Sequence, residues 1–284
     1  MPPPFVGRGG PREGEARLAP TINPMDLHLA GKTAIVTGGS RGIGKAIARE
    51  LTAEGVKVAI VARDQATLEA TAKELGALPI RCDTGSDEQV KAMVATAVEQ
   101  LGGIDILVNS AAEPGGQAPP PKLADIDDEV FWPDVNVKVM GYLRCIREAA
   151  PHMARRGGGR IVNISGNAAR RTGSTVGSMR NIAVAAMTKN LADELAPQKI
   201  TLVVVHPGTI RTEKTPDVIK RTAQRQGVSE GEVEQRLNAA NLIGRLVEAA
   251  EVAQVVTFLC SPLAAAIDGD AVAVTGGTPG AIVY

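Results

Sequence analysis

From residue 32 to residue 275, short apolar runs alternate with longer segments whose apolar residues recur every third or fourth position. The runs are 32–37, 56–62, 78–82, 104–109, 160–165, 200–205 and 271–275. Between them lie the periodic segments 43–53, 65–75, 88–101, 132–154, 177–196 and 249–259. In 43–53, Ile43, Ile47 and Leu51 put one apolar stripe on a helix. Runs of this length without alternation read as strands buried on both faces, and a helix after nearly every strand implies parallel pairing. Aromatic residues are only 2% of the chain, so Ala, Val, Ile and Leu must fill the core. This pattern predicts one three-layer α/β domain over 25–284, a doubly wound parallel sheet with helices on both faces.

Other features bound the function. Lys plus Arg and Asp plus Glu both number 31, so no net charge favours a nucleic-acid partner. Cys82, Cys145 and Cys260 are scattered and odd in number, which predicts buried thiols of a reducing cytosol and neither a disulfide framework nor a metal site. No apolar run approaches the length of a membrane span. Residues 1–24 are rich in proline and glycine and are expected to be disordered or loosely draped, whether they arise from an upstream start codon or serve as a subunit-contact arm. A Pro/Gly-rich break is expected at 114–121, and a polar excursion with one or two short helices at 207–241.

The first run ends in Thr37-Gly38-Gly39-Ser40-Arg41-Gly42-Ile43-Gly44. Glycines there allow a tight turn and close approach of a pyrophosphate to the backbone, while the following helix presents its free N–H groups. A glycine triplet alone is a weak signal, but this one follows a strand and opens a helix. At the end of the second run, where a carboxylate would meet a ribose 2′-hydroxyl, the chain has Ala62 and then Arg63, with Arg41 in the glycine loop. Two guanidinium groups there suit a 2′-phosphate, so NADP is expected over NAD, although Asp64 stands beside them.

The Thr-Gly-x-x-x-Gly-x-Gly spacing, with further segments in order, resembles the short-chain dehydrogenase/reductase family over about 29–277. The resemblance implies a Rossmann fold and an NAD(P)-dependent oxidoreductase. It implies that Gly38, Ser40, Arg41, Gly42, Ile43 and Gly44 cradle the coenzyme and that Asp83 and Thr84 meet the adenine. Asn109 and Ala111, in Asn109-Ser110-Ala111-Ala112, would line the ribose, and Pro207, Gly208, Ile210 and Thr212 would receive the nicotinamide amide. Of the family's catalytic residues, Asn136 matches the asparagine, and Ser165 lies beside the serine place.

The family's Tyr-x-x-x-Lys pair has no counterpart. Tyr142 is followed by Ile146 at the fourth place, and Tyr284 ends the chain. Counting back from Pro197, Gly177 falls on the tyrosine place and Asn181 on the lysine place. Losing a positioned acid costs about 10²- to 10⁴-fold in rate. The substitutes considered are Ser178, Arg180, His206, which otherwise reads as a packed strand-end residue, and Tyr284 reaching a neighbouring subunit. Arg170, Arg171 and Arg180 could attract an anionic substrate or form a solvated cluster, and 213–241 resembles the family's mobile lid. Three readings follow: an NADP(H)-dependent reductase of an activated C=C or C=O group, a catalytically silent coenzyme-binding partner or sensor, and a non-redox enzyme. The resemblance also implies a cytoplasmic homotetramer or homodimer, with Ala183, Val184, Ala186, Met187 and Leu191 suited to helix contact.

Overall fold

The computed structural model describes residues 25–112 and 119–279; the expected draped segment 1–24, much of the 114–121 break and Tyr284 lie outside them. Seven strands form one parallel sheet. They are β1 (Thr33–Thr37), β2 (Lys57–Ala62), β3 (Leu78–Arg81), β4 (Ile106–Asn109), β5 (Gly159–Ile164), β6 (Ile200–Pro207) and, last in the chain, β9 (Ala271–Val274). Their order is β3-β2-β1-β4-β5-β6-β9. Between them run α1 (Gly42–Ala53), α2 (Gln65–Leu75), α3 (Asp87–Leu101), α4 (Asp128–Val135), α5 (Gly141–Arg155) and α6 (Thr175–Leu195), with α9 (Ala249–Cys260) before the last strand.

The strands lack alternation because both faces are covered. In β1, Ala34 and Val36 pack with Ile47 and Leu51 of α1 and with Val252 and Val256 of α9, whereas Ile35 turns to the opposite core beside Val90 and Met93 of α3 and Ile146 of α5. β2 divides in the same way, Val58 and Ile60 to one side and Ala59 and Val61 to the other. Helix ends are written locally. The Asp64 carboxylate accepts from Thr67 N at the start of α2, and the Ser86 hydroxyl accepts from Gln89 N at the start of α3. Gly76 and Gly102 close these helices with φ of 66° and 82°, a left-handed cap.

Three features depart from the sequence reading. The helix expected from 132 begins at Asp128, because the Asp127 carboxylate caps it through Val130 N. Residues Asn136–Met140 continue that helix as a π turn before α5, a local widening that strict 3.6-residue periodicity does not reveal. A two-residue pair, β7 (Ile210–Arg211) with β8 (Val247–Glu248), is too short to leave a pattern. The polar excursion holds α7 (Thr215–Gln226) and α8 (Glu230–Asn238). Ile219, Ala223 and Val233 give it a small core of its own, and Ser229 with Glu232 forms a capping box.

The strand order reverses between β1 and β4, which opens a crevice at the carboxyl ends of the strands. The three cysteines are buried and unpaired. Burial pushes Cys82 up to about 11 and Cys260 up to about 12. Among the described residues no cluster of metal-ligating side chains occurs and no helix is long and apolar enough to cross a membrane.

Candidate active site

The crevice is a cavity of about 630 Å³. At one end the glycine turn joins β1 to α1. Gly38 has φ of 68°, and a Cβ there would lie 2.8 Å from the Ser110 carbonyl oxygen. A Cβ at Gly44 would lie 2.2 Å from the Gly38 carbonyl oxygen, so only glycine fits. Thr37 explains how Ser110 comes so near: its buried hydroxyl accepts from Ser110 N and Ala111 N, at 3.0 and 3.2 Å, and pins the end of β4 to β1.

No side chain of the N-cap residue, Arg41, caps α1. The first N–H of the helix, at Gly42, instead donates to the Glu213 carboxylate at 3.0 Å, and Glu213 comes from the segment before α7. An anion therefore already occupies the helix N-terminus, where partial positive charge gathers. Arg41 donates to the Asp64 carboxylate at 3.3 Å and to the Thr67 hydroxyl at 3.0 Å. Arg41 and Arg63 both line the cavity, as do Ser40, Ile43, Asp83 and Thr84. Asp83 accepts from Gly85 N at 2.9 Å, which fixes the turn after β3.

The other end is formed by β5, β6 and the π turn. Ser165 is 6% exposed and lines the cavity. Its hydroxyl donates to the Asn181 main-chain carbonyl at 3.0 Å, with Asn181 Oδ1 3.3 Å away. Its own carbonyl accepts from Lys138 Nζ at 2.7 Å. Lys138, second residue of the π turn after Asn136, is 5% exposed and also lines the cavity. Burial, and then the Arg180 guanidinium, push its ammonium down to about 7, against the pull of Asp134. Pro207, Gly208, Ile210 and Thr212 also line the cavity, as do Val218, Arg221 and Leu237 of the excursion.

A model described as enoyl-(acyl carrier protein) reductase matches residues 38–279. The dehydrogenase/reductase SDR family member 4 of Oryctolagus cuniculus is 37% identical over 260 residues, covering 88% of this chain and 95% of its own length. The chain belongs to the short-chain dehydrogenase/reductase family. A tryptophan variant of actinorhodin polyketide ketoreductase, solved with NADPH, superposes with a TM-score of 0.81 at 36% identity, covering 88% of this chain and 98% of that one. L-sorbose reductase from Gluconobacter frateurii, solved with NADPH and L-sorbose, gives 0.82 at 28% identity, covering 91% and 100%.

Within this short-chain dehydrogenase/reductase cavity the expected residues separate clearly. All the coenzyme positions named from the sequence line it except Asn109. Asn109 is fully buried, and its amide nitrogen donates to Asn163 Oδ1 at 2.9 Å. Asn163 in turn donates to Thr188, tying β4 and β5 to α6. Asn136 does not line the cavity either. It opens the π turn, and its amide nitrogen reaches the Gly85 carbonyl at 3.3 Å. Gly177 and Asn181 are buried on α6, and a Cβ at Gly177 would meet Ser174 Oγ at 2.7 Å.

Among the described residues, the proposed substitute donors are engaged or neutral. The Ser178 hydroxyl donates to the Arg171 carbonyl. Arg180 is paired with Asp134, and Arg170 reaches the Ala271 carbonyl, so the three arginines do not converge on the cavity. Burial, and then Arg170, lower His206 to about 4, so near neutrality it is a neutral imidazole and not an imidazolium acid. The Tyr142 hydroxyl donates to the Ile164 carbonyl, and burial raises its pKa far above the ordinary phenol range. Lys138 was not picked out by the sequence reading. Its one signal is a lysine set among Val137, Val139 and Met140 on an otherwise apolar stretch.

Proposed function

We propose that this chain is an NADP(H)-dependent oxidoreductase with an atypical active site, in which Gly177 and Asn181 stand at the family's tyrosine and lysine places, and that it reduces an activated C=C or C=O group. One observation carries the reading: a single cavity joins an anion-accepting helix N-terminus to a buried polar end containing Ser165 and Lys138. The residues fit the coenzyme. The Gly42 N–H already holds a carboxylate, and the glycine turn has no room for side chains that would cover it. Gly42, Ile43 and their neighbours would hold the pyrophosphate, Arg41 and Arg63 the 2′-phosphate, and the Pro207–Thr212 segment the amide. When bound, the coenzyme supplies the hydride. The complexes of both relatives with NADPH support the choice of NADP over NAD.

Ser165 would orient the substrate. Its proton is engaged by Asn181, so its oxygen is an acceptor in this arrangement. Val218 and Leu237, apolar residues of the cavity lining, would exclude water. The exposed Trp132, Met179 and Ile182, on α4 and α6, support a homo-oligomer through that face. Val184 cannot take part, because it packs inside this chain against Tyr142 and Val204.

The test is loss of NADPH absorbance at 340 nm against ketones, enones and enoyl thioesters. Turnover of an activated substrate supports the proposal. Tight NADPH binding with no turnover anywhere in the panel would favour a silent coenzyme-binding partner, a reading that rests on Gly177 having no side chain.

A further inference from the structure

Reduction of a C=O group, or of a C=C group conjugated to one, leaves a pair of electrons on a substrate oxygen that must be met by a proton. The family's tyrosine and lysine are absent, and among the described residues the other candidates for this task are engaged elsewhere or neutral. The π turn Asn136–Met140 supplies an alternative. It lies beside α6 between two ordinary helical segments and places Lys138 at the buried end of the cavity. The Lys138 ammonium carries three donors, and among the described residues its one hydrogen bond goes to the Ser165 carbonyl at 2.7 Å. That bond fixes the nitrogen beside the residue expected to orient substrate, with two N–H groups left for a molecule in the cavity. The Ser165 hydroxyl donates away from the cavity, to Asn181, so it does not compete as donor.

We propose that Lys138 is the proton donor of this active site, delivering its proton from Nζ to the substrate oxygen. This inference rests on the oxidoreductase reading above. The step balances as follows. As carbon accepts hydrogen and two electrons from the reduced nicotinamide coenzyme, the π pair moves to oxygen. The Lys138 N–H bond breaks, its pair stays on nitrogen, and an O–H bond forms. Lys138 is left as a neutral amine and regains a proton from solvent through the open cavity. With a conjugated C=C group the product is the enol, which reverts to the ketone.

The charged groups facing Lys138 suit this cycle. Arg180 on α6 opposes its charge and Asp134 on α4 partly restores it. His206 on β6 is itself held neutral, in part by Lys138. Burial, and after it this balance of charges, sets the ammonium at about 7, where donor and acceptor forms are both populated at physiological pH. A lysine of ordinary pKa would be a much poorer donor there.

The experiment uses the full chain with lysine side chains labelled at Cε, together with Lys138→Met and Lys138→Arg. The resonance missing from the Met variant assigns Lys138. A midpoint near 7 for that resonance is the expected result, and it requires no turnover. Calorimetry should give both variants an NADPH affinity within about threefold of the parent. In a single turnover on the best panel substrate, both variants should be slowed by about 10²-fold or more. Arginine keeps the charge but cannot release a proton near neutrality, so its failure separates proton delivery from electrostatics.

Turnover of Lys138→Met within threefold of an active parent would overturn the proposal and leave the oxidoreductase reading intact. A midpoint above 9.5 would do the same, as would a loss confined to NADPH affinity. A parent that binds NADPH yet reduces nothing would overturn both.

Discussion

Replacing Lys138 by methionine should change how stability depends on pH. In the folded chain the ammonium is buried, and its pKa falls from 10.5 to about 7. The unfolded chain therefore binds the extra proton between these values while the native chain does not. Stability must rise with pH across that window. The cost of the buried charge is fully present below pH 7 and is gone above about 10.5. A shift from 10.5 to about 7, at about 1.4 kcal/mol per unit, sets a ceiling of roughly 5 kcal/mol. The side chain can relax toward the open cavity when protonated, so 2–4 kcal/mol is a better expectation for the measured difference, at about one kcal/mol per pH unit. Methionine is close in length and apolar, so it removes the titration without opening a cavity. It leaves the Ser165 carbonyl without its donor, at about 1–3 kcal/mol, but this loss is the same at every pH. The assay is urea unfolding of both proteins at pH 7, 8, 9 and 10. The parent should gain on the variant steadily over that range, because all other titrating groups are shared. Parallel curves would refute the argument, since they would mean that the Lys138 proton is held equally in the two states.

Other outcomes follow from the cavity. Arg41→Ala should weaken NADPH about tenfold while changing NADH less than threefold, because a charge-assisted bond to the 2′-phosphate is worth about 1.5 kcal/mol at this half-exposed site; equal losses by calorimetry would remove Arg41 from cofactor choice. Glu213→Gln should tighten NADPH about three- to tenfold, since the Glu213 carboxylate now takes the Gly42 N–H that the pyrophosphate needs; unchanged affinity would place the phosphates elsewhere. Gly44→Ala should abolish coenzyme binding and lower stability by about 2 kcal/mol, because its Cβ would sit 2.2 Å from the Gly38 carbonyl oxygen; a stable variant with normal NADPH affinity would refute the packing account.

The sequence by itself determined the layering. Ile35 and Val36 both need burial, and consecutive strand residues face opposite ways, so both faces of the sheet had to be covered. The glycine loop was equally legible from its spacing: Gly44 answers to the Gly38 carbonyl six residues back, although the Ser110 carbonyl that presses on Gly38 comes from the distant end of β4. Tertiary structure alone decided how the polar residues are used. Asn109 reads as a cavity residue, but Asn163, 54 positions later, draws its amide into the core. His206 reads in sequence either as a titratable group or as a packed strand-end residue, and burial decides for the second, with the ring neutral. The family resemblance points to Asn136, but its amide turns to the Gly85 carbonyl, and it is Lys138 on the π turn that lines the cavity. Helical periodicity carries no mark of that wider turn. A lysine's pKa is likewise set by neighbours such as Arg180, which lies 42 positions away in the chain but close in space. Apolar burial depends on local pattern and survives small shifts, whereas hydrogen-bond partners and proton affinities depend on positions fixed to within an ångström, and only the assembled fold supplies those.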